Sequence, residues 1–129
     1  MKIKFKVWIE EDDKFLIGKG GYTILKAIDQ YGSIAKASEV LNMSYKFIWS
    51  YIKKLEENLG ESVVNMKRGK KGGTILTPAG KKLLRTYELV ECVVRSSILE
   101  LLNYCPAISC CDEQITKEKN MNSLITGCI

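Results

Sequence analysis

Apolar and polar residues alternate strictly in KIKFKVWIE (2–10), with Ile3, Phe5, Val7 and Ile9 on one face and Lys2, Lys4, Lys6 and Trp8 on the other. A side-chain period of two predicts a half-buried strand. EDDK (11–14) then reads as a turn and FLIG (15–18) as the returning strand of a hairpin. Gly18, Gly20 and Gly21 break the pattern. Helical spacing follows in YTILKAIDQYG, where Ile24, Leu25 and Ile28 share a face until Gly32 stops the helix.

Ser33 is a candidate N-cap for a short helix, SIAKASEVLNM, with an apolar stripe of Ile34, Ala37, Val40 and Leu41. After a tight connection at Asn42 and Met43, Ser44 can cap a second helix running from Tyr45 to about Leu59 and closed by Gly60. Two short helices joined by a tight turn make a helix-turn-helix. Beyond it, SVVNMKRGKKGGTILTP is a hairpin with a cationic, glycine-rich apex. Thr77 followed by Pro78 then starts a long helix reaching about Tyr104. Its second half, LVECVVRSSILELL, is apolar nearly all round, so it is expected to bury itself against a second copy. The expected fold is mainly α with small β: a winged helix-turn-helix with an N-terminal β-hairpin and a long C-terminal dimerisation helix. Residues 1–104 form the DNA-binding unit, its dimerisation helix at about 77–104. Residues 105–129 form a cysteine-containing tail with little fixed structure apart from a short helix near NSLI.

The helix from Ser44 carries the candidate chemistry. At about 100° per residue, Ile48, Ile52, Leu55, Leu59, Tyr45 and Trp49 fall in one arc, the core stripe. Lys46, Ser50, Lys53 and Glu57 lie opposite, with Phe47, Tyr51 and Lys54 on the flank beside Ser50. In the N-terminal half of a recognition helix, such donors reach phosphates or guanine edges and apolar groups meet the thymine methyl. The competing reading is an ordinary solvated face, with Phe47 and Tyr51 packed on the hairpin. Charge distribution favours the first. Net charge is only +5, but from Met66 to Arg85 the chain has seven basic residues, Lys67, Arg68, Lys70, Lys71, Lys81, Lys82 and Arg85, and no acid. Candidate DNA-contacting residues are therefore Lys36, Ser44, Tyr45, Lys46, Phe47, Ser50, Tyr51, Lys53, Lys54, Lys67, Arg68, Lys70 and Lys71. Of these Lys36 and the wing residues Lys67, Arg68, Lys70 and Lys71 are assigned to phosphates.

Other classes fare worse. Histidine is absent, which removes the commonest general base and the imidazole metal ligand. No phosphate loop, nucleophile–base pair or close carboxylate pair is present, so no enzyme and no cofactor is expected. No run of eighteen apolar residues and no signal-peptide pattern appears, which predicts a cytoplasmic protein with no membrane partner. The cysteines Cys105, Cys110, Cys111 and Cys128 crowd the C-terminal end without a C-x-x-C pair. Tail thiols without a site are the favoured reading, and a metal- or redox-sensing cluster is the alternative. Cys92 is expected as a small core residue. A nonspecific architectural DNA-binding protein would share the basic wing and the dimer helix.

The stretches GSIAKASEVLNMSYKFIWSYIKKLEENLG and GKKGGTILTPAGKKLLRTY, with the order strand, helix, helix-turn-helix, wing and long helix, resemble the N-terminal DNA-binding domain of the ModE family of molybdate-responsive transcription regulators, which is related to that of LysR-type regulators. The most specific pieces are GSI, MSYK with Trp49 three residues on, and KGGTILTPAG. The similarity runs from roughly Lys14 to Leu102. It implies double-stranded DNA as partner, contacted by the helix beginning at Ser44 and by MKRGKKGG, core packing for Trp49, and a homodimer through the long helix. Phe47 stands where the family is expected to have a small residue, so no target sequence is carried over. Too few residues follow Tyr104 for the family's molybdate-binding domain, and molybdate sensing is not expected.

Overall fold

The computed structural model describes residues 2–68 and 72–104. Its elements are β1 (Ile9–Glu11), β2 (Lys14–Ile17), α1 (Lys19–Tyr31), α2 (Ile34–Leu41), α3 (Tyr45–Leu59), β3 (Val64–Lys67), β4 (Gly73–Leu76) and α4 (Pro78–Tyr104). The strands form two antiparallel hairpins, β1–β2 and β3–β4. Residues 6–87 make one compact unit, and residues 2–5 with α4 from residue 88 make another. The expectations for Lys70, Lys71, Cys105, Cys110, Cys111, Cys128 and a helix near NSLI lie outside the described residues.

The first hairpin turns on Asp12 and Asp13, both left-handed at φ 50° and 62°. Two such residues give the mirror-image turn whose twist matches antiparallel strands, and aspartate tolerates it better than most side chains. The strand expected over residues 2–10 is paired only from Ile9, because β2 is four residues long and offers the upstream stretch no ladder. Alternation survives as burial: Phe5, Val7 and Ile9 are half-buried, whereas Lys4, Lys6 and Trp8 are exposed.

Gly20 and Gly21 lie inside α1 rather than before it. The reason at Gly21 is close approach. A Cβ there would strike the Tyr51 hydroxyl and come within 2.9 Å of Ile17 Cγ2, so the meeting of β2, α1 and α3 requires a residue without a side chain. This offsets the ~0.5–1 kcal/mol that glycine costs in a helix relative to alanine.

The caps fall where the sequence puts them. Ser33 Oγ accepts from the Lys36 N–H at 3.1 Å, and Ser44 Oγ accepts from the Phe47 N–H at 3.0 Å. Gly32, Asn42 and Gly60 end the three helices in the left-handed region, at φ 68°, 54° and 83°. α2 buries Ile34 and Ala37, but Val40 is 48% exposed rather than part of the stripe. On the wheel Val40 lies about 120° from Ile34, while half-buried Leu41 lies about 20° from it. Ile17, Ile24, Leu25, Ile28, Ile48 and Ile52 form the centre of the core, and Tyr87 of α4 is buried with its ring stacked on Tyr22 at 5.0 Å.

The start of α4 is fastened to the strand leading into the second hairpin. The Thr77 N–H donates to the Val63 carbonyl at 2.9 Å. Thr77 Oγ1 donates to the Ser62 carbonyl at 2.6 Å and accepts from the buried Gly80 N–H at 3.1 Å. A Cβ on Gly80 would strike the Val63 carbonyl. Cys92, expected as a small core residue, is half-buried and disulfide-bonded.

Thr77→Val keeps the side-chain shape but strands the Gly80 N–H and the Ser62 carbonyl. It is expected to lower unfolding stability by about 1–3 kcal/mol, read as a shift in urea midpoint at unchanged slope. Gly80→Ala, which must displace backbone rather than a pliable side chain, is expected to be at least as damaging. A wild-type midpoint for either variant would contradict this account of the junction.

Candidate nucleic-acid interface

Burial of Ile48, Ile52 and Leu55 fixes the rotation of α3 about its axis. With one face committed to the core, the helical period dictates what faces away. Lys46, Phe47, Ser50, Lys53 and Lys54 are exposed, Phe47 by 54% of its surface. Tyr45 joins them at 44%, although its wheel position suggested the core. It is the first residue of the helix, and helical side chains lean toward the N-terminus, so its ring passes the helix end instead of lying over a preceding turn. Trp49 is half-buried against the core, as expected.

Tyr51 is also half-buried, with its hydroxyl beside Gly21 of α1. Burial holds its phenol above the ordinary tyrosine value of 10.0, so it is neutral across the physiological range. The structure thus separates Tyr51 from the exposed group and places it at the joint between α3 and α1.

The lysines of α3 differ in their surroundings. Lys53 Nζ lies 4.4 Å from the centre of the Trp49 ring and 3.6 Å from Glu56 Oε1, and Lys54 Nζ lies 4.0 Å from Glu57 Oε2. Lys36 on α2 is paired similarly with Glu39 at 3.6 Å. The Lys36–Glu39 and Lys54–Glu57 pairs are solvent-exposed and contribute little to stability, whereas Glu56 is largely buried; all three locally balance charge. Among the described residues, Lys46, Lys67 and Arg68 form no ion pair. Ser44 sits at the N-terminus of α3, where the helix dipole adds partial positive charge.

In the second hairpin Val64 pairs with Leu76, Asn65 with Ile75, Met66 with Thr74 and Lys67 with Gly73, placing Lys67 and Arg68 at the approach to the tip. The tip-side end of β4 is tied to the turn between α1 and α2: the Thr74 N–H donates to the Gly32 carbonyl at 2.8 Å, and a Cβ on Gly73 would lie 2.8 Å from that same oxygen. In the sequence the only mark of this junction is the pair of glycines at 72 and 73. Lys81, Lys82 and Arg85, noted in the acid-free stretch but not chosen as contacts, are exposed on α4. Among the described residues no group of three or more acidic, cysteine or histidine side chains is arranged to hold a metal ion. No described helix is long and apolar enough to cross a membrane.

Residues 22–81 match the family model described as bacterial regulatory helix-turn-helix protein, lysR family. The molybdenum-pterin-binding protein MopB of Rhodobacter capsulatus is 36% identical over 96 residues, covering 70% of this chain and 36% of that protein. The transcriptional regulator ModE of Haemophilus influenzae is 34% identical over 70 residues, covering 53% of this chain and 28% of that protein. The chain therefore spans about a third of the length of these curated relatives. Among solved structures, the DNA-binding domain of CbnR in complex with DNA aligns with a TM-score of 0.51 at 25% identity, over 65% of this chain and 94% of that one. Full-length CbnR with its target DNA aligns with a TM-score of 0.50 at 25% identity, over 64% of this chain and 28% of that one. The fold, the position of the helix-turn-helix within it and these similarities identify residues 22–81 as a LysR-type helix-turn-helix DNA-binding domain.

Proposed function

We propose that this protein is a homodimeric, sequence-specific transcription regulator that sets the N-terminal half of α3 in a major groove and rests its wing on the phosphate backbone. The observation that carries the reading is the uncovered face formed by Tyr45, Lys46, Phe47 and Ser50, on a helix whose opposite side is locked into the core. CbnR, a relative in fold solved with DNA, supports the choice of partner. Lys46 and Ser50 reach base edges or the adjoining backbone. Lys36, Ser44, Lys53, Lys54, Lys67, Arg68, Lys70 and Lys71 supply phosphate contacts, which position the protein without reading sequence. Tyr51 contributes by holding α3 against α1.

For the dimer the argument lies in α4. Val90, Val94 and Leu101 share one face, with Val90 and Leu101 exposed by 39% and 40%. Apolar side chains at this spacing favour pairing with an identical helix.

Three outcomes test the reading. Lys67→Ala combined with Arg68→Ala removes four phosphate contacts per dimer, so the slope of log affinity against log salt should flatten by about 3–4, equally on all duplexes. Ser50→Ala should instead alter the sequences recovered by binding-site selection. A protein that bound unrelated duplexes within a few-fold of its best site would be architectural. Val90→Glu with Leu101→Glu should convert the dimer to monomer in sedimentation and weaken operator binding; a dimer that persisted would place the interface elsewhere.

A further inference from the structure

The first eight residues of α3, Tyr45 to Ile52, contain no Arg, Asn, Gln, Asp or Glu. Those side chains, with lysine, make the paired hydrogen bonds that distinguish guanine, adenine and cytosine in the major groove. The amide of α3, Asn58, lies in the last turn and donates to the Phe15 carbonyl at 2.9 Å. What the first two turns present is one lysine, Lys46, two hydroxyls, on Tyr45 and Ser50, and one large apolar ring, Phe47. Phe47 is the most exposed aromatic side chain of the helix, at 54%. Its backbone is fixed in the first turn, where its N–H donates to the Ser44 cap. Ser50, one turn on, is too small to cover it. An apolar surface of this size, set in the middle of a polar groove-facing surface, has one apolar counterpart on the edges of the bases, the C5-methyl group of a pyrimidine.

We propose that Phe47 is the specificity-determining residue of α3 and that it reads pyrimidine C5-methyl groups, so that operator choice rests on methyl contact more than on paired hydrogen bonds. This inference depends on the DNA-binding reading above and deepens it. Lys46 and Ser50 then set register around the methyl contact.

The test uses the full chain and a duplex enriched from random sequence. Each thymine is replaced in turn by deoxyuridine, which removes the methyl and leaves the hydrogen-bonding edge unchanged. At one or two positions per half-site the wild type should bind about fourfold more weakly, the effect of losing about 0.8 kcal/mol for one buried methyl, and about sixteenfold when both half-sites are altered. For Phe47→Ala the same duplex pair should bind equally. Because the side chain is exposed and its cap uses only the backbone, that variant should keep the wild-type circular dichroism, and Phe47→Ser provides an independent second variant. If no duplex is enriched, the DNA-binding reading fails and takes this inference with it. If a duplex is enriched but every deoxyuridine is tolerated, or the loss persists in both Phe47 variants, the inference alone is overturned.

Discussion

Everything functional in this domain depends on the insertion of Ile48, Ile52 and Leu55 into the core. These positions repeat every three or four residues, and the buried area of each side chain contributes on the order of 1.5–3 kcal/mol. A rotation of α3 by one position would withdraw them and bury Lys53 or Lys54 in their place, at the cost of desolvating an ammonium group. The outward presentation of Lys46, Phe47 and Ser50 is therefore a consequence of core packing. Tyr51 reinforces it: its hydroxyl lies beside α1 at Gly21, the residue that makes room for it.

The wing is fixed by backbone rather than by side chains. At one end of β4 the Thr74 N–H meets the Gly32 carbonyl, and at the other Thr77 closes onto Ser62 and Val63 while capping α4. Gly32 is itself the left-handed stop of α1. One residue therefore ends a helix, begins the turn into the helix-turn-helix and anchors the wing. Because the helix-turn-helix and the second hairpin share this anchor, the spacing between them is set by backbone and does not depend on flexible side chains.

Much of this was legible in the sequence because it is written in local chemistry. Ser33, Ser44 and Thr77–Pro78 mark helix starts, Gly32 and Gly60 mark ends, and Asp12–Asp13 marks a hairpin turn. Each acts within a few residues of itself, so reading a single chain suffices. The misses are tertiary. Strand propensity in residues 2–8 was correct as an alternating pattern, but a ladder also needs a partner, and four residues of β2 do not supply one. Glycines at 20 and 21 read as a break because the benefit of a close approach lies in Ile17 and Tyr51, distant in sequence. Tyr45 was assigned to the core by angle alone; the wheel ignores that the first residue of a helix leans past its end. The half-burial of Tyr51 has the complementary cause, since its neighbour on α1, Gly21, is invisible to a wheel.

Charge divides the cations more sharply than the sequence could. Lys36, Lys53 and Lys54 each lie within 4.0 Å of a glutamate on their own helix, whereas Lys46, Lys67 and Arg68 lack such a partner among the described residues. A lysine with an adjacent carboxylate must share its field, and a phosphate approaching it meets repulsion from that carboxylate as well as attraction. An uncompensated cation contributes its whole charge. On the proposed binding mode Lys46, Lys67 and Arg68 should therefore each contribute more to association than the paired Lys36, Lys53 and Lys54.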